Sequence, residues 1–206
     1  MERRLLGNMT STIQYHQLSL DVNPIKEYAL TLDEGRKVSN VGGFQSTKFT
    51  KPPEVCKELF TEVEQHLPRK MILATLWFNI NGKNHYNISH NHADKKIYMM
   101  NHGGKWLSVS HSHGLSGVYY VDVPDTNMGD IVFGSGERLT PQTNTLLMFS
   151  NSVFHEVEPN QSEKKRISIA FNYGDKWILI TNRYIKSGEE ITWKYDFYNP
   201  TSPVVT

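Results

Sequence analysis

From residue 71 onward the chain is a succession of short runs rich in apolar, β-branched and aromatic residues, and this pattern limits the fold more than any other feature. MILATLWFNIN (71–81), LSGVYYVDV (115–123), DIVFG (130–134), NTLLMFS (144–150) and RISIAFNYG (166–174) are each of strand length, as are WILITNRYI (177–185) and EITWKYDFY (190–198). The stretches PDTNMG, SGERLTPQ, EPNQSEKK and KSGE separate them with turn-forming residues. Short strands punctuated in this way predict a β-sandwich or an open barrel. Ahead of them, Pro52 and Pro53 open a helix. Its apolar positions Val55, Leu59, Phe60, Val63 and Leu67 recur near the 3.6 period, and Pro68 closes it. One helix of this kind would cover a sheet face.

With 206 residues the chain is expected to form a single domain over 1–206. That domain would comprise an N-terminal segment with the helix (1–70), a β core (71–174) and a C-terminal hairpin or tail (175–206). Lysine and arginine number 22 against 21 acidic residues, so no charge field points to nucleic acid or an anionic membrane surface. No apolar run approaches the roughly 20 residues of a membrane span, and MERRLLGNMTST carries no apolar core of a signal peptide. The single cysteine, Cys56, cannot form an intramolecular disulfide. The expected location is the cytoplasm, that of a host if the protein is viral, and oligomeric state stays open.

Nine histidines stand out, four of them in the pairs His90/His92 and His111/His113. Residues two apart on a strand point the same way, so His90 and His92 can reach one metal. His155 ends an apolar strand in LLMFSNSVFHEVEPN. In RISIAFN, Ile167, Ile169 and Phe171 share one face, and Arg166, Ser168, Ala170 and Asn172 share the other. That second face is either a wet exterior or a polar lumen holding an anion, for which an arginine offers a two-pronged contact. Between the histidine pairs, KKIYMM-NHGG-KWLSVS reads as a hairpin turning at His102-Gly103, whose partners sum to 205. That register sets His92 opposite His113 and Asp94 opposite His111.

WFNINGKNHYNISHNH, SGVYYVDVP and LLMFSNSVFHEVEPNQSEKKRISIAFN, with SNVGGFQS before them, resemble successive blocks of the 2OG-Fe(II) oxygenases of marine bacteria and cyanophages, distant relatives of the prolyl hydroxylases. The resemblance spans about residues 39–173 and implies a mainly β, double-stranded β-helix (jelly-roll, cupin-like) with one or two flanking N-terminal helices. It implies iron(II) at His90, His92 and His155, and 2-oxoglutarate at Arg166 and Ser168. Tyr119 or Tyr120, and Asn79, fall in blocks that could line the same pocket. The implied activity is a dioxygenase, most simply a hydroxylase. It would use O2 and 2-oxoglutarate on a small-molecule or peptidyl substrate and release succinate and CO2.

Two features depart from the usual pattern. His92 stands where a carboxylate completes the common two-histidine triad, with Asp94 as a substitute or a neighbour of the ligands. Residues 93–115 also replace a short turn. Alternatives are a three-histidine cupin-like metalloenzyme that does not use 2-oxoglutarate, and a non-enzymatic β-sandwich of the binding or virion kind. A lesser one is a methyltransferase, since LITNRYIKSGEEITWKYDF (179–197) resembles the closing stretch of SET domains.

Overall fold

The computed structural model describes residues 13–93, 97–102, 105–110 and 114–175. The chain starts with strand β1 (Gln14–Gln17) and helix α1 (Asn23–Thr31), then the short strands β2 (Asn40–Val41) and β3 (Phe44–Gln45). A 3-10 turn (Glu54–Cys56) leads into α2 (Lys57–Gln65), the helix expected from the proline-bounded stretch. Its Leu59, Phe60 and Val63 are buried as their spacing requires, whereas Val55 lies on the exposed side of the preceding turn. Helix α1 escaped the sequence pattern. Its signals are short: Pro24 in the first turn, where a missing N–H costs nothing, and the i, i+4 pair Ile25 and Ala29, both buried.

The remaining strands are β4 (Met71–Asn81), β5 (Tyr86–His90), β6 (Ile97–His102), β7 (Lys105–Ser110), β8 (Leu115–Asp122), β9 (Ile131–Phe133), β10 (Arg138–Leu139), β11 (Thr145–Ser150), β12 (His155–Val157) and β13 (Arg166–Asp175). All the strands but β6 and β7, which pair with each other, form a six-stranded sheet in the order β1-β11-β8-β13-β4-β3 and a five-stranded sheet in the order β10-β9-β12-β5-β2. Every described pairing in the two sheets is antiparallel. This is the double-stranded β-helix. The N-terminal segment contributes to it directly, through β1 and β3 at the two edges of the larger sheet and β2 at an edge of the smaller.

Both faces of the larger sheet are occupied. Ile167, Ile169 and Phe171 join Leu76, Phe78, Tyr119, Val121, Leu146 and Met148 in an outer core with Ile25, Ala29, Leu59, Phe60 and Val63 of the helices. On the inner face the register stacks side chains in layers. Arg166 lies opposite Asn81; Ser168 lies between Asn79 and Tyr120; Ala170 lies between Trp77 and Val118; Asn172 lies between Thr75 and Ser116. A second apolar cluster of Tyr120, Ile131, Phe133, Leu147 and Phe149 closes part of the lumen. Between β13 and β8 the register slips by one residue. Ile167 pairs with Asp122, but Ser168 pairs with Tyr120, a β-bulge that leaves Val121 unmatched. Asp122 meets Lys26 of α1 at 2.8 Å.

The chain divides into two compact units, and the described part of the second is the β6–β7 hairpin. Its pairs run from Ile97 opposite Ser110 to His102 opposite Lys105, which corrects the expected register: the residues between the strands are Gly103 and Gly104. Gly-Gly is among the dipeptides that a primed turn prefers and His-Gly is not, so turn chemistry itself favours the observed register. The expected facing of His92 and His113 falls on a residue outside those described, His113; at the His92 end the backbone N–H donates to the Asn151 carbonyl at 2.8 Å. Asp94, His111, His113 and the strands expected over 177–198 lie outside the described residues. Among the described residues no helix is long and apolar enough to cross a membrane.

At the edge of the larger sheet, His16 of β1 stacks on His66 beyond α2, with ring centroids 3.9 Å apart and planes 26° from parallel. Burial, and then the neighbouring imidazole, hold the His16 pKa below its ordinary 6.5. The neutral ring is therefore favoured by folding, and its stabilisation is complete above about 6.5 and lost as pH falls through the folded value. His16 should titrate below 6.5 by NMR, and His66→Asn should move that midpoint upward.

Candidate functional site

The smaller sheet gathers the three histidines. His155 opens β12 directly opposite His90, the last residue of β5, and His92 follows two residues on. Ring centroids are 4.4 Å apart for His90–His155, 4.9 Å for His90–His92 and 5.2 Å for His92–His155. One nitrogen from each can be chosen so that all lie within 4.8 Å of one another, an arrangement suited to one metal ion. Backbone carbonyls orient two of the rings. His90 donates from Nδ1 to the Ile88 carbonyl (2.8 Å), and His155 from Nδ1 to the Val153 carbonyl (3.1 Å). That tautomer leaves each Nε2 lone pair unprotonated, the usual state of a metal-ligating imidazole.

Burial is the leading cause that keeps all three rings neutral. It pushes the His92 pKa to about 3, assisted by His155, His90 and Lys48. It pushes that of His155 to about 4 against the carbonyl bond, with His90 adding a little. His90 is lowered too, opposed by its bond to Ile88. Phe149 packs on the His155 ring at 4.8 Å and Trp77 on the His92 ring at 5.5 Å. Deprotonated donors in an apolar collar are what a metal site requires.

The same cavity runs to Arg166. It encloses about 560 Å³ of empty space, a figure that includes the open solvent at its mouth. Its walls include the three histidines, Trp77, Asn79, Asn81, Tyr120, Ser168 and Arg166, and no carboxylate among the described residues. The Arg166 face is therefore an inner, polar wall and not a wet exterior. Arg166 is only 2% exposed. Its Nη1 donates to the carbonyls of Met128 (2.8 Å) and Gly129 (2.6 Å), and the Tyr120 ring centroid lies 5.8 Å from the guanidinium carbon. Its Nε is buried with no partner. Desolvation lowers the Arg166 pKa, opposed by Tyr120 and Asp130.

Of the two tyrosines the sequence left open, Tyr120 lines the cavity and Tyr119 does not. Tyr119 is buried in the outer core, where its hydroxyl donates to Asn144 Oδ1. Asn79 and Ser168 reach the cavity as expected, and Asp94 lies outside the described residues. Sequence reasoning missed Asn81, Asn87, Ser39 and Trp77. Asn81 and Trp77 could have been found by extending the Asn79 parity along β4. Ser39 and Asn87 could not, because they meet only through pairing between β5 and the segment leading into β2, with Asn87 Nδ2 donating to Ser39 Oγ at 3.1 Å.

Residues 135–172 match the model of the family described as "Putative 2OG-Fe(II) oxygenase". The fold is shared with a viral collagen prolyl hydroxylase from Paramecium bursaria Chlorella virus-1, solved as its 2-oxoglutarate complex. The TM-score is 0.58 at 14% identity, over 80% of this chain and 96% of that one. It is shared with HygX from Streptomyces hygroscopicus, solved with nickel and 2-oxoglutarate bound (TM-score 0.58, 13% identity, 79% and 82% coverage). It is also shared with a prolyl-4-hydroxylase from Pseudomonas putida (TM-score 0.54, 14% identity, 80% and 92% coverage). No curated protein matches the sequence.

Gly129 is the point on which the Arg166 clamp turns. Its φ is +87°, and a Cβ there would stand 2.1 Å from the Glu158 carbonyl oxygen. Gly136 has nearly the same φ, +85°, with open space around it. Gly136→Ala should therefore cost only backbone strain, about 1 kcal/mol or slightly more. Gly129→Ala should cost clearly more, read as a larger drop in the urea unfolding midpoint.

Proposed function

We propose that the protein is an iron(II)- and 2-oxoglutarate-dependent oxygenase acting as a hydroxylase on a small-molecule or peptidyl substrate. The observation that carries this reading is a single cavity with three neutral imidazoles and, in the same lining, a buried arginine whose Nε has no partner. A buried N–H without an acceptor is rare and unfavourable, so the arginine fits a ligand that supplies one. The ligand's charge follows from the lining. Three neutral donors leave a divalent metal uncompensated, Arg166 adds a further positive charge, and no described wall residue is acidic. A dianion such as 2-oxoglutarate offsets two of those three positive charges.

When bound together, iron(II), 2-oxoglutarate and O2 supply the oxidising power, with succinate and CO2 as co-products and one oxygen atom delivered to the substrate. The chain's own part is binding, orientation and exclusion of water. His90 and His155 would hold the metal through Nε2, with His92 as the third donor. Arg166, fixed by the Met128 and Gly129 carbonyls, would present its fork to the distal carboxylate, with the Ser168 hydroxyl on the same face. Tyr120 covers the guanidinium, and Phe149 covers His155. Trp77, beside His92, is placed to form a wall for the primary substrate.

The third histidine favours one rival, a three-histidine metalloenzyme that takes a different anion at Arg166. Stoichiometric succinate from 2-oxoglutarate supports the oxygenase, and anaerobically iron-loaded protein that makes none excludes it. His155→Ala should lose iron binding while keeping its circular dichroism spectrum; normal iron stoichiometry in that variant removes His155 from the metal site. Arg166→Ala should keep iron but need at least about tenfold more 2-oxoglutarate, because a charge-assisted two-pronged contact contributes about 1.5–3 kcal/mol and each 1.4 kcal/mol is a factor of ten. An unchanged titration would make the arginine structural.

A further inference from the structure

Among the described residues only four buried side-chain polar atoms lack a partner: His16 Nε2, Tyr173 Oη, Asn81 Nδ2 and Arg166 Nε. The last two line the cavity described above and belong to residues directly opposite each other on β4 and β13. Directly opposed residues set their Cβ atoms about 4.5–5.5 Å apart on the same face. Asn81 is 2% exposed, as is Arg166. The nearby polar groups are accounted for differently: Asn87 Nδ2 already donates to Ser39 Oγ.

We propose that Asn81 is a second donor to the distal carboxylate of the co-substrate, binding it beside Arg166 and selecting keto diacids over keto monoacids. This rests on the oxygenase reading above. A carboxylate has two oxygens and about four lone-pair sites, so it can satisfy both unpaired N–H groups at once. A terminal methyl group would leave both unpaired. Asn81 thus adds a neutral, directional contact to the cation, and it discriminates by the presence of an acceptor as well as by charge.

The test is calorimetric titration of nickel-loaded protein with 2-oxoglutarate and with 2-oxopentanoate, the same chain with a methyl group in place of the distal carboxylate. Asn81→Leu should weaken 2-oxoglutarate by at least about tenfold, as expected for loss of a hydrogen bond to a charged group, and leave 2-oxopentanoate unchanged. Asn81→Asp is isosteric and answers the question if the leucine variant does not fold. Its like charge should abolish the preference for the diacid. Loss of affinity for both keto acids alike would assign Asn81 to packing and overturn the proposal. So would unchanged affinity for 2-oxoglutarate in these variants when Arg166→Ala has lost it, and in that case the oxygenase reading stands. Wild-type protein that binds nickel but no 2-oxoglutarate overturns both.

Discussion

A guanidinium almost wholly removed from water, on the inner wall of the barrel, is the constraint to which the surrounding structure answers. An isolated buried charge is costly, and the fold offsets that cost without neutralising the group. Two backbone carbonyls accept from one nitrogen, an aromatic face lies alongside, and Asp130 acts at a distance. Carbonyl dipoles stabilise a cation while leaving its net charge for a ligand. The Met128–Gly129 turn can present both oxygens because Gly129 takes a backbone conformation with no room for a side chain.

Such a polar interior is affordable because stability is supplied elsewhere. The outer face of the larger sheet packs Ile167, Ile169, Phe171, Tyr119 and their neighbours against two helices, and each such aliphatic or phenyl side chain contributes about 1.5–3 kcal/mol when fully buried. Strand β13 therefore works on both sides: odd positions hold the helices and even positions hold the site. The histidines sit on the other sheet, so the cavity is defined by how the two sheets face each other.

Much of this was legible because it is periodic. The alternation in 166–172 set Arg166 and Ser168 on one face, the i, i+2 spacing aligned His90 with His92, and the proline-bounded helix buried its expected stripe. What escaped was either too short to be periodic or decided between strands. Helix α1 rests on one proline and two apolar residues. Strands β2 and β3 have two residues each and exist only because β5 and β4 pair with them. Parity could not rank Tyr119 against Tyr120, since it fixes opposite faces without saying which is inward. The hairpin register failed because the turn was expected at His102-Gly103, although the adjacent Gly-Gly dipeptide tolerates two positive φ angles better.

The slip between β13 and β8 carries more weight than its one residue suggests. Tyr120 faces the lumen, so strict alternation would aim Asp122 inward as well, beside Arg166. The extra residue turns both Val121 and Asp122 to the outer face, where Asp122 meets Lys26 of the first helix. Had the ladder run true, the barrel would carry its own counter-ion and the arginine would be spent on an internal ion pair. A single irregular step in backbone pairing thus decides which side of the sheet carries a carboxylate: it turns Asp122 toward the first helix and keeps it off the inner wall that Arg166 occupies.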